Sequence, residues 1–172
     1  MIKPALQDGA FLTAVRDADS EEDFFLWWVG QSGFLIKWRG KQLLFDPYLS
    51  DSLTRKYAET DNPHDRLTEI VVSPNSLQGV QVATSSHNHT DHLDAETLHA
   101  LHAANPELTL VLPTANMDFV HERLGDDAPS FLPVDVGETV ESHGFAMTGV
   151  LAAHDAVELD QLGRSHFLGF VA

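Results

Sequence analysis

The stretch Ser86-His87-Asn88-His89-Thr90-Asp91-His92-Leu93-Asp94 follows directly on an apolar run, Val80-Gln81-Val82-Ala83-Thr84. Four potential metal-ligating side chains thus fall within six residues, where a strand ends and a helix begins. A strand-to-helix junction aims such a loop at one point. His87 and His89 are two apart, so in an extended segment both face the same side. Asp91 and His92 sit where the chain turns into the helix, and their adjacency lets them diverge toward a neighbouring metal. Two ions roughly 3.5–4 Å apart would polarise an electrophile and hold a hydroxide between them. Water bound near a zinc-type ion titrates at about 7, so hydroxide is available at neutral pH. A histidine-rich polar loop without metal is the plain alternative, but donors this dense, in this order after a strand, favour metal.

Composition limits which metals and partners fit. The chain has no cysteine and 10 histidines. Thiolate sites and disulfides are excluded, and one or two divalent ions on histidine and carboxylate are expected: zinc, manganese or iron. With 26 acidic against 10 basic residues, a formal charge of −16, the chain should repel nucleic acid and anionic membranes. Apolar runs are far shorter than a membrane span needs. Met1-Ile2-Lys3-Pro4 has no basic start leading into an apolar stretch, so no signal peptide is expected. Together with the lack of cysteine, this fits a cytoplasmic protein.

The 172 residues read as a polar lead-in, 1–23, with a short helix near Ala10–Ala18, and one α/β domain over 24–172. Strands are expected at Phe24–Val29, Phe34–Trp38 and Gln42–Phe45, the last two joined by a tight turn at Arg39-Gly40-Lys41. A long irregular stretch, Leu49–Gly79, separates this meander from the strand Val80–Thr84. Asp94 is placed as the N-cap of a helix reaching Ala104. A strand at Leu108–Leu112 and a helix from Thr114 to Leu124, closed by Gly125, come next. The remainder is β: Phe131–Val134, Thr139–Glu141, Gly144–Ala153 and Ser165–Val171.

His87-x-His89-x-Asp91-His92 resembles the H-x-H-x-D-H signature of the metallo-β-lactamase superfamily. Trp27-Trp28-Val29-Gly30-Gln31-Ser32-Gly33-Phe34 and Phe45-Asp46-Pro47-Tyr48 are similar to the opening strands of its L-ascorbate-6-phosphate lactonase-like branch. The resemblance implies an αββα sandwich. It implies that His87 and His89 hold a first metal with a third histidine, best matched by His154, which closes the apolar run Leu151-Ala152-Ala153. It implies that Asp91 and His92 hold a second metal, that Asp91 handles the proton of the attacking water, and that Asp46 supports the motif loop through hydrogen bonds. Asp46 also reads as an ordinary Asp-Pro turn. Arg55, Lys56, Arg66 and Arg164 are candidates for an anionic substrate group, though solvated surface charge is the better-favoured reading for any one of them. His64, His99, His102, His121 and His143 are expected on helix or loop surfaces, and His166 at a strand start near His154.

The family's second half supplies a bridging aspartate and a last histidine, and neither is present. The chain thus reads as the N-terminal half to two-thirds of that sandwich, to be completed by a second copy, by a separate chain bearing the other half or by the missing continuation. A metal-dependent hydrolase of a lactone or phosphoester-type small molecule is the expected function, with an anionic or phosphorylated substrate. A phosphodiesterase, or a non-catalytic metal-binding piece, are the alternatives.

Overall fold

Two glycine-bearing turns start the fold. In the computed structural model, which describes residues 1–172, β1 (Phe24–Gly30) pairs antiparallel with β2 (Gly33–Trp38), and β2 with β3 (Lys41–Phe45). Between Trp38 and Lys41 the turn residues Arg39 and Gly40 have φ of 48° and 72°. This is the two-residue primed turn whose twist matches that of the strands it joins. Next come three parallel pairings, of β3 with β4 (Val80–Thr84), β4 with β5 (Thr109–Pro113) and β5 with β6 (Ser130–Val134). The result is a six-stranded sheet in which spatial order equals chain order.

Helices cover one face of that sheet. The helix α1 (Asp8–Asp17) buries Phe11 and Val15; α3 (Ala95–Ala104) buries Leu98 and Leu101; α4 (Met117–Leu124) buries Val120 and Leu124. These meet Leu35, Leu44, Leu110 and Leu112 of the sheet in a 19-residue core. As the sequence predicts, Asp94 caps α3, its side chain accepting from Thr97 N at 3.1 Å. The expected helix from Thr114 begins as a single 3-10 turn, Thr114–Asn116, before α4 proper.

On the opposite face lies a second sheet, antiparallel, of β7 (Thr139–Ser142), β8 (Phe145–Leu151) and β9 (Leu168–Val171). Its Phe145, Met147 and Leu168 pack on Leu43, Val82, Val111 and Val134 of the first. The layers are therefore α, β, β: the mixed α/β sandwich read from the sequence. The second sheet covers only the β3–β6 side. Phe24, Leu26 and Trp28 of β1 stand opposite Trp38, Ile36 and Phe34 of β2. They are covered only at the margins, by residues 144–146 and Ala172 at the Phe24 end and by residues 2–6 beside Leu26 and Trp28, and Phe24 is 63% exposed.

Three expectations need correction. The stretch after β3 is not wholly irregular: it holds a short helix, α2 (Ser52–Tyr57), and a 3-10 turn at Pro74–Ser76. Buried Tyr48 anchors α2, its hydroxyl accepting from Leu53 N at 3.0 Å. The last two strands are shorter than read. The run 144–153 leaves the ladder after Leu151, and 165–167 is taken by a local turn in which Ser165 Oγ bonds both Phe167 O and Phe167 N.

Candidate metal centre

The motif loop lies at the carboxyl ends of β3 and β4, where open α/β sheets form their clefts. Backbone bonds hold it from two sides. Ser85 N donates to Val111 O and Leu168 N to Ser86 O, each at 3.0 Å. The loop is not extended: His92 N and Leu93 N both reach back to His89 O. The histidine rings therefore converge because the chain turns, not because alternate residues share a strand face. Arg123 of α4 closes the turn, its guanidinium donating to Asn88 O at 2.8 Å and Leu93 O at 3.1 Å.

Asp46 is the hub beneath the loop. One carboxylate oxygen accepts from Thr84 Oγ1 at 2.6 Å and Ser86 N at 3.0 Å; the other accepts from His92 Nδ1 at 2.7 Å. Its backbone has φ +38°, in the left-handed region, which aspartate tolerates better than most residues. Here that conformation turns the carboxylate back under the motif. Both readings of Asp46, supporting carboxylate and Asp-Pro turn, describe the same residue. Burial alone would raise its pKa, but the bonds from His92, Ser86 and Thr84 outweigh this and hold it below the usual aspartate value. Burial would likewise lower His92, yet the bond to Asp46, with the charges of Asp46 and Asp91, leaves it raised. Nδ1 is committed to Asp46, so Nε2 of His92 faces Asp91 Oδ2, 3.7 Å away.

His87 is buried and its Nδ1 lies 3.0 Å from Ser86 Oγ, while its Nε2 is buried with no hydrogen-bond partner. Burial, reinforced by His92 and His89, pushes its pKa down to about 4, so the ring is neutral at pH 7. Around it stand His89 and His154. Ring centroids are 4.6 Å apart for His87–His89, 5.0 Å for His89–His154 and 6.2 Å for His87–His154. Three imidazoles on one tetrahedral ion, with metal–nitrogen bonds of about 2 Å, would set centroids about 5 Å apart. The trio brackets that spacing, although no three donors are drawn in to metal-binding distance of one point. The orphaned, neutral Nε2 of His87 is the stronger sign that the donor set fits a divalent ion, since a buried nitrogen without a partner is costly. His92 does not diverge from the first pair: its ring is 4.0 Å from that of His87. Phe167, 5.0 Å from His87 and 6.1 Å from His154, packs against the cluster.

The candidate anion-binding cations separate clearly. Arg55 pairs with Glu96, and Arg164 with Asp160. Arg66 is neither surface charge nor free. It is buried, donating to Tyr48 O, Ser50 O and Thr68 O. Lys56 alone of the four opens toward the motif, in a cleft of about 540 Å³ shared with His64, His89, Asp91 and Arg123. His64, expected on the surface, lines this cleft with Nδ1 buried. His166 borders a second, smaller cavity beside His89 and His154, its Nδ1 2.8 Å from Asn116 Oδ1. His99 is half-buried against Leu124 O, and His102 is also half-buried, whereas His121 and His143 are exposed. Sequence reading missed Thr84, Ser86, Arg123 and Phe167. Of these, only Ser86 lies beside the motif.

A family model described as the beta-lactamase superfamily domain matches residues 26–170, which takes in every one of these side chains. The chain belongs to that superfamily. Among curated members, a protein from Azorhizobium caulinodans called a UPF0173 metal-dependent hydrolase is 30% identical over 129 residues, 75% of this chain and 48% of the relative. One of the same name from a Chelativorans species is 27% identical over 142 residues, 83% and 53% of the two chains. The chain thus spans about half the length of the curated relatives it matches. Among solved structures, CmlA, a diiron β-hydroxylase from Streptomyces venezuelae, matches with a TM-score of 0.56 at 20% identity, covering 86% of this chain and 27% of that one. That likeness speaks for the superfamily fold alone.

Proposed function

We propose that this chain carries the metal-holding part of a metal-dependent hydrolase acting on a small molecule. The observation that carries the reading is the neutral, buried His87 Nε2, left without a partner among the rings of His89 and His154. His87, His89 and His154 would hold one divalent ion, zinc, manganese or iron, and Asp91 with His92 would serve a second. Such an ion would supply Lewis acidity and a bound water titrating near neutrality. The protein's own groups do the rest. Asp46 fixes the tautomer and orientation of His92, the role a carboxylate commonly plays behind a ligating imidazole. The Asp91 carboxylate takes the proton of the attacking water. Phe167 keeps bulk water from one side of the rings. A lactone carbonyl or a phosphoester is the electrophile we assign. The lactone side rests on the resemblance of the opening strands to the lactonase-like branch.

A second reading has its own support. Asp91 Oδ2 and His92 Nε2 stand 3.7 Å apart with no third donor closing a metal site around them, which suits a metal-binding piece that acts once further ligands are supplied. Elemental analysis of the purified chain beside a His87→Ala/His89→Ala variant tests both. About one metal per chain, absent from the variant, supports the histidine site with an incomplete second one. Two per chain support a hydrolytic centre. No metal in the wild type overturns both readings.

A further inference from the structure

The cleft beside the motif differs in charge from the rest of the molecule. The chain carries −16 overall with only ten lysines and arginines. Four of these, Arg16, Arg55, Arg66 and Arg164, have a carboxylate within 4.0 Å. The other six, Lys3, Lys37, Arg39, Lys41, Lys56 and Arg123, have none, and of these Lys56 and Arg123 line this one cleft. The Lys56 ammonium rests 5.2 Å over the Tyr57 ring and makes no hydrogen bond. Arg123 is half-buried and spends its donors on carbonyl oxygens, which leaves its charge unneutralised at the cleft wall. His64 lines the same cleft, edge-on to the buried Tyr48 ring, with its Nδ1 shielded from solvent and unpartnered. The cleft's single carboxylate is Asp91, which the hydrolase reading assigns to metal.

We infer that Lys56, His64 and Arg123 form an oxyanion subsite that holds a phosphoryl or carboxylate group of the substrate next to the reacting centre. Lysine serves as a mobile point charge for such groups. His64 brings an imidazole to the same cleft wall, and the fixed Arg123 charge would add attraction at short range. The −16 surface makes such a subsite selective, since anions not captured by this cleft are repelled elsewhere. The inference rests on the hydrolase reading for the word substrate, but not for the binding itself.

The test is a titration of the chelator-treated chain with inorganic phosphate and, separately, with acetate, followed by NMR. Metal content is measured on the untreated protein. Saturable binding of either anion is expected, weakened about fivefold or more by Lys56→Gln, weakened also by His64→Gln, and kept by Lys56→Arg. Preference for phosphate assigns a phosphorylated substrate, and preference for acetate a carboxylate one. Lys56 is exposed, so its variants should fold as the parent does. No saturable binding, or binding unchanged in both Gln variants, overturns the subsite. A chain that holds no metal yet binds phosphate through Lys56 would sink the hydrolase reading and leave the subsite standing. Metal with no anion binding would do the reverse.

Discussion

His87, His92 and Asp46 are within one network yet respond to pH in opposite senses. His87 is pushed down to about 4 from an ordinary value near 6.5. Its neutral form contributes stability above the ordinary value, and that contribution is lost as pH falls through the window from about 6.5 to 4. His92 is raised, so its contribution is full below the ordinary histidine value and lost as pH rises through its folded-state value. Asp46 is lowered, and its share is lost only in stronger acid, below the ordinary aspartate range. Metal-free protein should therefore lose denaturant resistance between pH 6.5 and 4 by an amount that His87→Gln removes. Urea unfolding of both forms across that range measures the difference. Equal slopes for the two forms would show that His87 is not held neutral by its surroundings.

At the level of elements, the motif loop depends on partners far along the chain. Arg123 reaches it from α4, 35 residues from Asn88. Arg123→Ala should leave the carbonyls of Asn88 and Leu93 without their donor, at a cost of about 1–3 kcal/mol. Amide exchange over Asn88–Leu93 should quicken while that of β4 stays slow; a loop as protected as in the wild type would refute the clamp. This dependence also explains what the sequence discloses. The cap at Asp94, the turn at Arg39-Gly40 and the strand before the histidines are set by neighbours within four residues, so their residue types announce them. Asp46 was found only because Asp-Pro-Tyr follows a strand in a recognisable pattern. Arg66, Arg123 and His64 look like any surface polar residue until the fold brings carbonyls, a ring or a cleft against them. The shortening of the last strand has the same cause, since Ser165 competes for backbone bonds in a way hydrophobic pattern does not register.

For the whole molecule, the exposed apolar face of β1 and β2 is the salient energetic fact. Phe24, Leu26, Trp28 and Phe34 are each at least 39% exposed, they lie side by side, and β1 is a free sheet edge. Contiguous apolar surface beside an open edge drives association. The isolated chain should sediment as a dimer or larger, and Phe24→Lys/Trp28→Lys should shift it toward monomer without unfolding the helix-side core. A wild type that stays monomeric at high concentration would remove this reading. No helix is long and apolar enough to cross a membrane, so this face is not explained by a helical span.

The first sheet runs in the order in which its strands leave the ribosome. Each new strand finds its partner already in place, and α1, α3 and α4 can close over it as they emerge. The histidine loop waits longer. It is sewn down by Leu168 and flanked by the ring of His154, both synthesised long after His87. On the proposed reading, ion capture would come late in the life of the nascent polypeptide, and a loaded trio would certify that everything from Asp46 to Phe167 had found its place.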